Sequence, residues 1–130
     1  MEREGLRARL AERLRAWREE IMTKPDREAV RDFMSEFVHD WGGEDEFRAE
    51  LRRAMRPDPW RMGYVLRSFE AFMADPPRDG TLAWLVEGYG NWGVDHGTDE
   101  KYLEILDRLL RILREEYAGV ASPPGPAAAG

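Results

Sequence analysis

The amino-acid sequence predicts an all-α protein, a single-domain bundle of five to six helices with a disordered C-terminal tail. Apolar residues recur at spacings of three and four in one segment after another, which is typical of helices with one buried face. Proline and glycine interrupt these segments, as they do between helices. At 130 residues the chain has the length of one domain. We assign residues 1–118 to the bundle and residues 119–130, which are rich in Pro, Ala and Gly, to the tail.

The first helix is predicted over residues 1–22. Its apolar residues form a narrow stripe among many charged ones: Leu6, Leu10, Leu14, Trp17 and Ile21. Such a stripe is closer to the seam of a coiled coil than to the broad core-facing side of a bundle helix. We therefore expect this amphipathic helix to lie at the periphery of the domain or to pair with a partner helix. A homodimer through these five residues is one prediction.

The next three helices are delimited by proline and glycine. The second is predicted to begin at Pro25 and to end at Gly42, because proline suits a first turn and glycine suits a C-terminus. A third helix over about 44–56 opens with acids and closes with arginines, which complements its dipole. A fourth begins at Pro59 and runs to about residue 74. The predicted core-facing residues of these helices are Val30, Phe33, Met34, Phe37, Val38, Trp41, Phe47, Leu51, Met55, Met62, Val65, Leu66, Phe69, Phe72 and Met73.

The sequence pattern is ambiguous for the fifth helix and clear for the sixth. Residues 81–89 suit a short helix or a buried strand, and we favour a helix because no second strand is predicted to pair with it. Residues 99–117 form the helix with the widest apolar face. This width indicates contact with two or more neighbours at the centre of the bundle. Thr98 is expected to cap its N-terminus.

Composition excludes several classes of function. The net charge is −6, with +2 on residues 1–24 and −8 on the remainder, and an acidic body opposes binding to nucleic acid. The chain has no cysteine, and no apolar run approaches the length of a membrane span. We expect a cytoplasmic protein without a cofactor, whose partner is another protein of neutral or basic character. Arginine at nearly all basic positions hints at bacterial coding.

The loop over residues 88–98, GYGNWGVDHGT, is the part of the chain least like helical scaffolding. Its glycines are expected to adopt positive φ angles. Asp95 and His96 are the residue types of a proton-transfer pair, but adjacent side chains do not readily converge on one substrate atom. The loop lacks the spacing of a metal motif, and its G-x-G-x-x-G stretch lacks a βαβ context. We therefore assign no catalytic or metal-binding residue here and favour a connection or an aromatic docking surface.

Two hypotheses on function follow. The first is a small acidic protein-binding module, such as a bacterial inhibitor of the immunity or antitoxin type that occludes a basic partner. Its binding face would include the acidic run and the loop: Glu36, Asp40, Glu44, Asp45, Glu46, Trp92, Asp95 and His96. The acidic run is also explained as the solvated junction of two helices. The alternative function is a ligand-binding or enzymatic domain that uses the 88–98 loop. Its pocket would be lined by Trp84, Tyr89, Trp92 and Tyr102, with Asp95 and His96 at the mouth.

Overall fold

Six helices make up the chain where the structure, a computed structural model, describes it. The backbone is described over residues 2–23 and 25–121, and the side chains over residues 5–16 and 25–120. The helices are α1 (Glu2–Thr23), α2 (Asp26–Phe33, continued as a π-helix over Met34–Val38), α3 (Glu44–Met55), α4 (Pro59–Ala74), α5 (Thr81–Ala83, continued as a π-helix over Trp84–Tyr89) and α6 (Asp99–Ala121). These ranges contain no strand. The all-α prediction is confirmed, and residues 81–89 are helical.

The helix α6 packs against α3, α4 and α5, and α4 packs against α2, α3 and α6. Leu106, Leu109 and Leu113 of α6 are fully buried, which agrees with the wide apolar face predicted for this helix. Thr98 caps the helix as predicted, because its hydroxyl accepts a hydrogen bond of 3.3 Å from the Lys101 amide.

Aromatic rings hold α2, α3 and α4 together. Phe33 of α2 meets Phe47 of α3 and Phe69 of α4 edge to face, at centroid distances of 6.0 and 5.7 Å. Such arrangements add about 0.5–1.5 kcal/mol per pair to the free energy gained by burial. The predicted core residues of these helices are buried, except that Trp41, Val65 and Met73 are only half-buried.

Helices α2 and α5 both widen into π-helices near their C-termini. The amide of His39 donates to the carbonyl of Met34 at 3.0 Å, and the amide of Gly90 donates to that of Leu85 at 2.9 Å. These five-residue steps replace the four-residue steps of an α-helix. The second helix therefore ends at Val38, earlier than predicted, and the two π-helical segments pack against each other.

The predicted tail begins too early. The helix α6 continues past residue 118 to Ala121, so assigning residues 119–121 to a disordered tail is wrong. Val120 is partly buried and packs against the core. Burial of this apolar side chain stabilises the continuation of the helix past Gly119. Residues 122–130, the rest of the predicted tail, lie outside the described residues.

None of the described side chains of helix α1, residues 5–16, belongs to the hydrophobic core. The side chains of Leu6, Leu10 and Leu14 are 54, 50 and 59% exposed. The predicted stripe also includes Trp17 and Ile21, whose side chains lie outside the described residues. Over the described ranges, no helix is both long enough and apolar enough to cross a membrane.

Candidate functional site

Two loops meet through a pair of tryptophans. Trp41 follows the π-helical end of α2, and Trp92 follows that of α5. Their ring centroids lie 4.8 Å apart, and Trp41 also contacts Phe47 of the core at 5.1 Å. This contact brings residues 39–46 and 90–96 to one surface, which we call the two-loop face.

The backbone of the second loop is shaped by residues other than those predicted. Positive φ occurs at Asn91 (50°) and His96 (52°), and none of the loop glycines Gly88, Gly90, Gly93 and Gly97 uses the freedom that glycine has to adopt it. Asparagine tolerates the left-handed region because its short amide can bond to the nearby backbone. Gly97 serves close packing instead, because a β-carbon there would collide with the Tyr102 hydroxyl.

A groove of about 310 Å³ lies between the two loops. It is lined by His39, Asp40, Trp41, Asn91, Trp92 and Gly93. The ring nitrogen Nδ1 of His39 lies 3.2 Å from Oδ1 of Asp40, and both side chains are open to solvent. Two predicted site residues, Asp40 and Trp92, therefore share one groove, although they lie far apart in the chain.

Two of the five acids in the predicted run form ion pairs with arginines of the chain. Glu36 accepts a hydrogen bond of 2.7 Å from Arg61. Glu44 accepts bonds from Arg108 at 3.3 Å and from Arg48 at 3.2 Å. Arg108 first, and then Arg48, hold the pKa of Glu44 below its usual value. These two acids tie helices together and are less free to meet a partner.

The other three acids of the run face solvent. The side chain of Asp40 is 99% exposed. Asp45 and Glu46 are also exposed, and no Lys or Arg within the described residues forms a salt bridge with either. Of these three acids, Asp40 lines the groove beside the tryptophan pair.

Asp95 and His96 stand on an exposed turn. Their side chains are 97 and 90% exposed, and Oδ1 of Asp95 lies 3.8 Å from Nε2 of His96. The ammonium group of Lys101 donates to the backbone carbonyls of both residues, at 2.8 and 3.0 Å. The lysine therefore holds the turn, while both side chains remain in solvent. Among the described residues, no cluster of His, Asp and Glu is arranged to hold a metal ion.

The four rings of the predicted ligand pocket lie in three different places: Trp84 and Tyr89 share one groove, Trp92 lines another, and Tyr102 is buried. Tyr102 is buried, and its hydroxyl donates a hydrogen bond to Glu87, which raises the pKa of Tyr102. The other oxygen of Glu87 accepts a bond of 3.4 Å from the Val94 amide. Trp92 lies against Trp41, whereas Trp84 lines a different groove. Tyr102 and Glu87 thus support the loop.

Among the described side chains, the most exposed aromatic residue is Trp84, which the sequence predicts only as part of a pocket lining. Trp84 is 67% exposed, and its ring centroid lies 6.2 Å from that of Tyr89. The guanidinium of Arg31 lies 5.8 Å from the centre of the Tyr89 ring. A groove of about 370 Å³ runs beside them, lined by Arg27, Glu28, Arg31, Thr81, Trp84, Leu85 and Tyr89. No sequence signal marks this exposure, because the spacing of Trp84 suits a buried face as well as an exposed one.

The candidate site is thus a surface of paired loops with tryptophan rings, exposed carboxylates and shallow grooves. Comparison with protein-family models, with curated proteins and with solved structures found no match for this chain.

Proposed function

We propose that this protein is a protein-binding module whose two-loop face receives a basic segment of another protein. The observation that carries the proposal is the contact between Trp41 and Trp92. It places two loops around a shared aromatic groove that Asp40 lines, and the exposed carboxylate of Asp95 stands on the same loop as Trp92. Aromatic anchors with a charged rim are typical of protein interfaces.

The intrachain contacts of Arg108 illustrate the chemistry that such a surface accepts. Its guanidinium lies 5.9 Å from the centre of the Trp41 ring and donates to Glu44. Cation–π attraction and a charge-assisted hydrogen bond act on the same group. An arginine of a partner would find a comparable ring and carboxylate at Trp92 and Asp40, which line one groove.

The charge of the whole bundle supports a basic partner. Residues 25–130 carry 13 basic and 21 acidic groups, a net charge of −8. A field of this sign attracts basic surfaces and accelerates their association at low ionic strength. Within this class, we propose an inhibitor of the immunity or antitoxin type, which would cover a basic cleft of its target. Its test is inhibition of a basic protein encoded beside this chain.

The alternative, a ligand-binding or enzymatic domain, has less support from the geometry. Asp95 and His96 stand in solvent and share no groove with Trp84 or Tyr102. A proton-transfer pair needs a substrate held within hydrogen-bond reach of it. We keep this function as an untested prediction, to be checked by screening for activity that the double change Asp95→Ala and His96→Ala abolishes.

The proposed binding is tested with a flexible peptide of arginine, glycine and serine, titrated by calorimetry. The change Asp40→Asn, Asp45→Asn and Asp95→Asn should weaken binding by about tenfold. Trp92→Ala should weaken it further, because the cation–π surface is lost. A matched control removes three exposed acids elsewhere: Glu12→Gln, Asp26→Asn and Asp75→Asn. Equal weakening in this control would show that only net charge matters and would overturn the proposal.

A further inference from the structure

The exposed stripe of α1 is basic along its flanks. Leu6, Leu10 and Leu14 are at least half exposed, and none packs against the core. Residues 5–16, which carry these leucines, include four arginines and one glutamate, a net charge of +3, whereas the whole of α1 has six arginines and five glutamates. An exposed apolar stripe on a charged helix is a surface that a groove of opposite charge can cover.

A groove of the opposite charge lies between α4 and α6. Its volume is about 420 Å³, and it is lined by Met73, Pro76, Glu100, Leu103, Glu104 and Asp107. The three apolar members are half-buried, and the three acids line the same groove. Two of these acids form loose ion pairs within the chain. A guanidinium nitrogen of Arg78 lies 3.7 Å from a carboxylate oxygen of Glu100, and one of Arg111 lies 3.9 Å from a carboxylate oxygen of Asp107. The groove therefore combines an apolar lining with carboxylates that stay largely in solvent.

We propose that α1 of one chain docks into the α4–α6 groove of a second copy. The leucines of α1 cover Met73 and Leu103, while its arginines meet the acids of the groove. Reciprocal exchange of α1 between two chains closes the assembly as a symmetric dimer. This contact uses a surface separate from the two-loop face, so it stands or falls independently of the proposed function.

Other occupants of these surfaces fit less well. Direct pairing of two α1 stripes would bring like-charged arginine flanks together, which opposes association. The groove beside Trp84 carries Arg27 and Arg31 and would repel a basic helix. The groove of the two-loop face has charged and polar walls at His39, Asp40 and Asn91, so it offers little cover for leucine. The chain's own α1 leaves its leucines exposed.

Sedimentation equilibrium of the full chain and its variants tests the exchange. We expect wild type to dimerise. The stripe variant Leu10→Glu, Leu14→Glu and the groove variant Glu104→Lys, Asp107→Lys should each weaken the dimer by about tenfold or more. An equimolar mixture of the two variants should form a mixed dimer, because one intact stripe then meets one intact groove. The control Asp40→Lys, Asp95→Lys makes the same charge change on the two-loop face and should dimerise as wild type does.

Three outcomes would overturn the proposal. The first is a monomeric wild type at all accessible concentrations, whether α1 stays free or folds onto its own groove. The second is a groove variant that dimerises as tightly as wild type, which would indicate pairing between α1 helices. The third is a mixture that forms no more dimer than either variant alone. Circular dichroism checks that each variant is folded, which is expected because all substituted side chains are exposed.

Discussion

Gly90 lies so close to Val86 that a β-carbon added at Gly90 would stand 2.7 Å from the Val86 carbonyl oxygen. The same β-carbon would also stand 2.7 Å from the terminal methyl of Met34. The π-helical end of α5 and that of α2 therefore approach each other at a residue without a side chain. Glycine is required here for space, since its φ of −80° is open to any residue.

Gly90→Ala should lower the free energy of unfolding by about 1–3 kcal/mol, because the backbone must shift to admit the methyl group. Gly93→Ala is the matched control in the same loop, since a β-carbon there meets nothing within 4 Å. The control should stay within about 0.5 kcal/mol of wild type. Urea denaturation measures both, and equal losses would show that the close approach at Gly90 is unimportant.

Trp92→Ala should destabilise the protein by about 1–3 kcal/mol and release the second loop, because the contact with Trp41 is lost. Trp84→Ala removes a side chain that is mostly exposed, so it should lower the free energy of unfolding by less than about 1 kcal/mol. Thermal unfolding compares the two variants. The near-ultraviolet circular dichroism that arises from coupled indoles should disappear with Trp92→Ala and persist with Trp84→Ala; the reverse would contradict the ring pairing.

The ion pairs of Glu44 should make the protein sensitive to acid. Because the folded pKa lies below the ordinary value of 4.5, ionised Glu44 contributes stability above that pH. This contribution is lost as the pH falls through the lowered folded pKa. Glu44→Gln should therefore flatten the fall in the free energy of unfolding below pH 4.5. Arg108→Gln should do much the same, because Arg108 is the main cause of the lowered pKa; an unchanged profile in both variants would refute the pairing.

The hydrogen bond from Tyr102 to Glu87 should make the stability of the protein depend on pH in the alkaline range. Because the pKa of Tyr102 is raised, the folded protein favours the neutral phenol. The stabilisation that the neutral phenol provides is therefore complete below pH 10.0. The effect is lost as the pH rises from there through the higher folded pKa. Glu87→Gln should lower the pKa of Tyr102 toward that of free tyrosine, as followed by ultraviolet absorbance of tyrosinate. Tyr102→Phe should remove that titration, which identifies the signal.

The core could be predicted from the sequence because spacing determines one face of a straight α-helix. Phe47, Leu51 and Met55 recur every four residues, and all three are buried in α3. The spacing rule does not hold at Trp84. It begins the π-helical segment, where the angular step per residue changes, and its side chain faces solvent while Leu85 and Val86 are buried.

The candidate site could be predicted only in part, for a different reason. The acids of residues 36–46 are close in sequence, so their local density is visible without a structure. Their partners are distant: Glu36 meets Arg61, and Glu44 meets Arg108. The contact between Trp41 and Trp92 likewise depends on how the helices pack. Pairings of this range leave no periodic signal in a single sequence.

The π-helical segment Trp84–Tyr89 sets the rotational phase of everything that follows it until α6 begins. Each residue of an α-helix turns the chain by about 100°, whereas the wide turn absorbs one extra residue within a single turn. Deleting one residue within the wide turn would therefore tighten it to a regular turn with little rotation. Deleting one residue in the regular part, Thr81–Ala83, would instead rotate the following loop and turn Trp92 away from Trp41.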